Sequence, residues 1–71
     1  MKKLTYITTI IDDKEIYNIF RETYKKGGKE VNDYYFSHFH NNTFVCDSAR
    51  FSTLDEIMLE QLSYKMYYAN S

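Results

Sequence analysis

Asn41-Asn42 sits between two runs rich in aromatic and β-branched residues, Tyr34 to His40 and Thr43 to Asp47. A two-residue hairpin turn needs positive φ at its centre, and asparagine adopts positive φ at modest cost. The pair therefore predicts a tight antiparallel hairpin. This fixes much else, because side chains alternate faces along each strand. With a loop centred on Asn41-Asn42, His40 faces Thr43, His38 faces Val45 and Phe36 faces Asp47. Those six residues then share one face. Cys46 falls on the opposite face with Tyr35, Ser37, Phe39 and Phe44.

The flanking segments complete a fold. Leu4 to Ile11 is β-branched and loosely alternating, and predicts a strand. Asp12 with Glu15 three residues later has capping-box spacing and predicts a helix from about Asp13 to Lys26. At ~100° per residue, Ile16, Tyr17, Ile19, Phe20, Thr23 and Tyr24 fall within an arc of roughly 160°. Lys25 and Lys26 suit the negative end of a helix dipole, and Gly27-Gly28 suits its left-handed cap. Lys29 to Asp33 reads as a polar linker. Asp47 to Ser52 either extends the last strand through a bulge or forms a loop. Thr53-Leu54-Asp55-Glu56 is a second capping box, opening a helix that runs to about Tyr68. The apolar residues of that helix spread over roughly 220°, whereas one sheet face calls for a stripe little wider than ~100°. The expected fold class is α+β: a two-layer β-α-β-β-α domain, a three-stranded sheet with two helices on one face.

Composition narrows the function classes. At 71 residues this is one small domain, near the size where a single core is marginal. One cysteine excludes an internal disulfide framework and fits a reducing, cytoplasmic setting. The N-terminal apolar run is short, broken by Thr8 and Thr9, and reads as a strand, not a signal peptide. No stretch approaches the ~18 apolar residues of a membrane span. The net charge of -1 is too balanced for binding by phosphate neutralisation.

His38, His40 and Cys46 are potential metal ligands, with Asp47 adjacent. The face argument separates the thiol from the histidines unless a bulge intervenes. It likewise separates a Cys46 nucleophile from a histidine base. No metal, cofactor or catalytic residue is therefore expected, and no enzymatic activity. Both glycines and the acidic pairs are absorbed by helix ends. An aromatic sheet face could stack nucleic-acid bases, but no basic frame surrounds it. This nucleic-acid module is the alternative reading.

Protein–protein interaction has the strongest motive, because Tyr, Phe and Met are enriched in interface cores. The expected partner-binding face is Phe36, His38, His40 and Val45. The expected homodimer interface is the outer flank of the C-terminal helix: Leu59, Tyr64, Met66, Tyr67 and Tyr68. The leading expectation is a small non-enzymatic interaction protein, dimeric, acting on a protein partner. Its size and its Lys-, Asn-, Ile- and Tyr-rich composition suggest an inhibitor of a host or defence protein, of the anti-CRISPR kind, made by a phage or mobile element.

Overall fold

The computed structural model describes residues 1–70. Four strands, β1 (Lys3–Asp12), β2 (Glu15–Lys26), β3 (Lys29–His40) and β4 (Thr43–Asp47), precede one helix, α1 (Leu54–Ala69). The strands form an antiparallel sheet in the order β1-β2-β3-β4. The expected three-stranded sheet with two helices is thus corrected. The segment read as the first helix is β2, and the segment read as a linker is the first part of β3.

The reason lies in the side chains of β2. Ile16, Tyr17, Ile19, Phe20, Thr23 and Tyr24 satisfy helical spacing, but all six are β-branched or aromatic and favour a pleated surface. Alternation splits them between two faces. Tyr17 and Ile19 are fully buried beneath α1, whereas Phe20 pairs with Tyr35 on the other side. A strand apolar on both faces imitates a one-sided helix when only spacing is counted.

The turns confirm the change. Gly27 and Gly28 have φ of 59° and 78°, so they form a two-residue hairpin turn and not a helix cap. Asn41 and Asn42 have φ of 53° and 67° and make the expected hairpin. Asp13 takes a φ of 58° between β1 and β2, where Asp12 pairs with Glu15 across the hairpin.

Both outer strands carry a register shift. One lies between Tyr6 and Thr8 in β1, the other between Phe44 and Cys46 opposite His38 and Phe39. After β4 the chain keeps following β3. Ser48 N donates to Phe36 O (2.8 Å), and Tyr34 and Phe51 exchange backbone bonds of 2.7 and 2.9 Å. Of the two expectations for this segment the loop holds: residues 48–50 lie outside any strand, and Phe51 makes an isolated bridge to Tyr34. Thr53 Oγ1 then accepts from Glu56 N (3.1 Å), capping α1 where the sequence places it.

α1 crosses one face of the sheet. Ile57 joins Tyr17, Ile19 and Phe36 in a fully buried core, flanked by Ile7, Ile10, Tyr34, Phe51, Met58 and Tyr64. No helix or strand among the described residues lies over the opposite face, where Arg50 packs on Tyr35 and buries it.

The Gly27-Gly28 turn gives a direct test of this topology. Gly28→Val should cost roughly 1–2 kcal/mol, because a β-branched residue is strained at positive φ. Replacing Gly27-Gly28 with Asn-Gly should be nearly neutral. Urea denaturation reads both. Equal losses from the two changes would contradict the hairpin.

Candidate functional site

The face beneath α1 holds a connected polar network. Glu15 starts β2, and the β2–β3 register sets it opposite His40, with Tyr17 opposite His38. One Glu15 oxygen lies 2.7 Å from His38 Nε2, and the other lies 2.7 Å from His40 Nδ1. His38 Nδ1 is 2.8 Å from Tyr64 Oη, which is 3.3 Å from Cys46 Sγ. His38 Nε2–H donates to the Glu15 carboxylate, and His38 Nδ1 shares a second hydrogen bond with the Tyr64 hydroxyl. Tyr17 stacks on His38 at 4.8 Å, while Tyr64 and Tyr68 close its edges at 5.2 and 4.7 Å.

The electrostatics follow from these contacts. Burial alone would lift the Glu15 carboxyl, but its hydrogen bonds with His38 and His40 outweigh that and hold it below the usual 4.5. Burial raises the Tyr64 hydroxyl, and the bond with Cys46 raises it further. Burial, with the nearby Glu15 and Asp12 charges, pushes Tyr17 up to about 12. The Tyr17 hydroxyl and Gln61 Nε2 are buried with no hydrogen-bond partner among the described residues.

Several sequence expectations are corrected here. Phe36 and His38 were placed on an open face, yet each is 0% exposed because that is the face α1 covers. Neither side chain reaches solvent to meet a partner. His40 is half-exposed at the end of the network, and Val45 is exposed at the bulge. The bulge also moves Cys46. It pairs with His38 in place of Val45, so the thiol joins the histidine face. Phe39 and Phe44 stay on the face opposite the histidines, as expected, and pack against each other at 5.6 Å on the uncovered side. Tyr64 and Tyr68 point inward to His38, whereas Leu59, Met66 and Tyr67 are exposed on the outer side of α1.

The network has the parts of a proton relay, Glu–His–Tyr–Cys, but little access. Among the described residues no pocket forms, and no three of His, Cys, Asp or Glu are arranged to hold a metal ion.

The uncovered face is the second candidate, and sequence reasoning missed it by assigning β2 to a helix. Its side chains form cross-strand rows. Tyr6, Phe20 and Tyr35 make an aromatic band, with ring separations of 6.1 and 5.4 Å. Arg50 lies 4.0 Å over Tyr35 and binds Glu22 at 2.9 Å. Ile11, Ile16, Phe39 and Phe44 make a second apolar band. Between the bands runs a polar row, where Thr9 donates to Asn18 (2.8 Å) and Ser37 donates to Asp47 (2.6 Å). Tyr6, Ile11 and Phe44 are 57%, 71% and 54% exposed. The alternation within Glu15–Lys26 was the signal that could have revealed this face.

Comparison with protein-family models, curated proteins and solved structures finds no match. No helix among the described residues is long and apolar enough to cross a membrane.

Two hydroxyls separate structural from idle polarity. Tyr64→Phe leaves buried His38 Nδ1 without its hydrogen-bond partner and should cost about 1–3 kcal/mol. Tyr17→Phe removes a buried hydroxyl that bonds nothing and should be neutral or stabilising. The reverse ranking in thermal denaturation would refute the network as drawn. Glu15 makes a pH prediction. Its folded-state pKa is depressed, so its stabilisation is complete above pH 4.5 and is lost as pH falls through the lower folded value. Glu15→Gln should be less stable than the native chain above pH 4.5, with the gap narrowing in acid. A gap independent of pH would exclude that role.

Proposed function

We propose that this protein is a non-enzymatic interaction module that works by presenting apolar surface to another protein chain. The observation that carries the reading is the uncovered sheet face, where two apolar bands present the exposed side chains Tyr6, Ile11 and Phe44 and the partly exposed Ile16, Phe20 and Phe39. A single contiguous patch on a small monomer is about 300–600 Å² and is often functional. Here the aromatic band crosses β1 to β3 and the band of Ile11, Ile16, Phe39 and Phe44 crosses all four strands. A second apolar strip runs down the outside of α1. Leu59, Leu62, Met66 and Ala69 recur at three- and four-residue intervals on the side away from the sheet. Leu59 and Met66 are each 66% exposed.

The buried state of His38 favours this reading over catalysis. A general base must come within reach of substrate, and His38 is enclosed by three tyrosine rings and Glu15. The aromatic band of the open face has the character of a base-stacking platform, which is the nucleic-acid alternative. Its charged neighbours oppose that. Glu22, Asp33 and Asp47 stand on the same face as Arg50, and Lys26 and Lys29 lie only at its far hairpin end, so no basic frame surrounds the aromatic band. The narrower reading, an inhibitor of a host or defence protein, rests on size and composition and on no residue of either surface.

Affinity capture from extract of the cells that make the protein tests the reading. Three baits are compared: the native chain, Ile11→Lys with Phe44→Lys on the sheet face, and Leu59→Glu with Met66→Glu on α1. All four altered positions are solvent-facing, so circular dichroism should stay native. The native chain should retain a discrete protein through nuclease and high-salt washes, and one face variant should lose it. A chain that retains nothing and remains single in solution would overturn the proposal.

A further inference from the structure

We infer that the uncovered sheet face is closed by a second copy of this chain, giving a two-fold symmetric face-to-face sandwich. The inference rests on the interaction reading above and names its first partner.

Area decides between the two exposed surfaces. Strands lie about 4.8 Å apart and rise about 3.3 Å per residue, so ten residues of β1, β2 and β3 span roughly 14 by 33 Å. That is on the order of 470 Å² of flat area per copy, before side-chain relief and the part of β4 are added. Two such faces approach or exceed the ~1,000 Å² that a specific interface needs. The outer strip of α1 is about 24 Å long and 10 Å wide, or roughly 480 Å² for a pair. It falls short alone.

The pattern on the face is self-complementary. A two-fold interface sets the same patch against itself. With the axis running along the polar row, the Tyr6-Phe20-Tyr35 band of one copy meets the aliphatic and phenylalanine band of the other. The strands of the two sheets then stack in alignment, about 10 Å apart, as in a sandwich. Polar row meets polar row. Thr9–Asn18 and Ser37–Asp47 are already hydrogen-bonded within each copy, so burying them strands fewer groups. Asp47 ends the polar row on the short edge strand β4, where it meets its symmetry mate at the solvent-screened rim, and the Arg50–Glu22 pair also sits toward the rim.

Light scattering on the intact chain tests this first. The native protein should show twice the 8.6 kDa chain mass. Ile11→Lys with Phe44→Lys should show the single mass at the same concentration with an unchanged circular dichroism spectrum. Leu62→Glu with Met66→Glu should remain dimeric. A second measurement does not depend on the charged variants folding. In a Cys46→Ser background, Asn18→Cys lies on the two-fold axis and should be joined by a short bis-maleimide into a covalent dimer, whereas Ser63→Cys should not. A native chain of single mass overturns the inference. So does a dimer broken only by the α1 variant, or one cross-linked at Ser63 and not at Asn18. If the chain is single yet captures a protein that a face variant loses, the dimer fails and the interaction reading stands. If it is single and captures nothing, both fail.

Discussion

The pairing of β2 with β3 underlies the rest of the molecule. It runs without a register shift from Glu15↔His40 to Lys26↔Lys29, closed by the Gly27-Gly28 turn. This one ladder sets both faces at once. On the covered side it places Tyr17 beside His38 and Ile19 beside Phe36. It also places Glu15 where its two oxygens reach both histidines. On the open side it places Phe20 against Tyr35 and Ile16 against Phe39. A slip by one residue would exchange the two sets. The fully buried Tyr17, Ile19, Phe36 and His38 would then face solvent, which is why that register is strongly specified.

The bulges sit where the central ladder leaves freedom, on the outer strands. The shift opposite His38 and Phe39 does chemical work, because it turns Cys46 to the histidine side and lets Tyr64 bridge thiol and imidazole. The shift near Ile7 lets that residue pack toward the core while Tyr6 stays on the open face. Bulges also twist a strand and blunt its exposed edge against unwanted pairing. β1 and β4, the two edge strands, each carry one.

About half of this was legible in the sequence. The first strand, the Asn41-Asn42 hairpin, the last strand and the Thr53-capped helix all stand where local chemistry puts them. Each depends on a signal read within a few residues: positive φ at asparagine, a threonine cap three residues before a glutamate. β2 was not legible by spacing, because Ile16, Tyr17, Ile19 and Phe20 fit one helical arc as well as two strand faces. Their β preference was the deciding evidence, and Gly-Gly fits a hairpin turn as well as a helix cap. The face reversal around His38 followed from the same miss. With β2 absent from the sheet, nothing showed which side of the hairpin the remaining helix would cover. The bulge at Val45 has no sequence signal of its own.

The two faces of the sheet solve burial in opposite ways. Under α1 the core is small: Tyr17, Ile19, Phe36 and Ile57 are its fully buried hydrophobic members. Yet it also encloses a histidine at 0% exposure. A lone buried imidazole would be costly, and only a full set of partners makes it tolerable. Glu15, Tyr64 and the stacked Tyr17 ring supply them, so these residues come from β2, β3 and α1 together and fasten the helix to the sheet. This fixes α1 in one orientation, with Gln61, Tyr64 and Tyr68 inward and Leu59, Leu62 and Met66 outward. The helix is thereby committed to a single face. The open face must expose its bands in a lone chain, and that exposed area is a standing source of free energy for association. The polar network and the apolar surface are therefore linked. By holding α1 on one side, the buried histidine leaves the other side of the sheet without a covering helix.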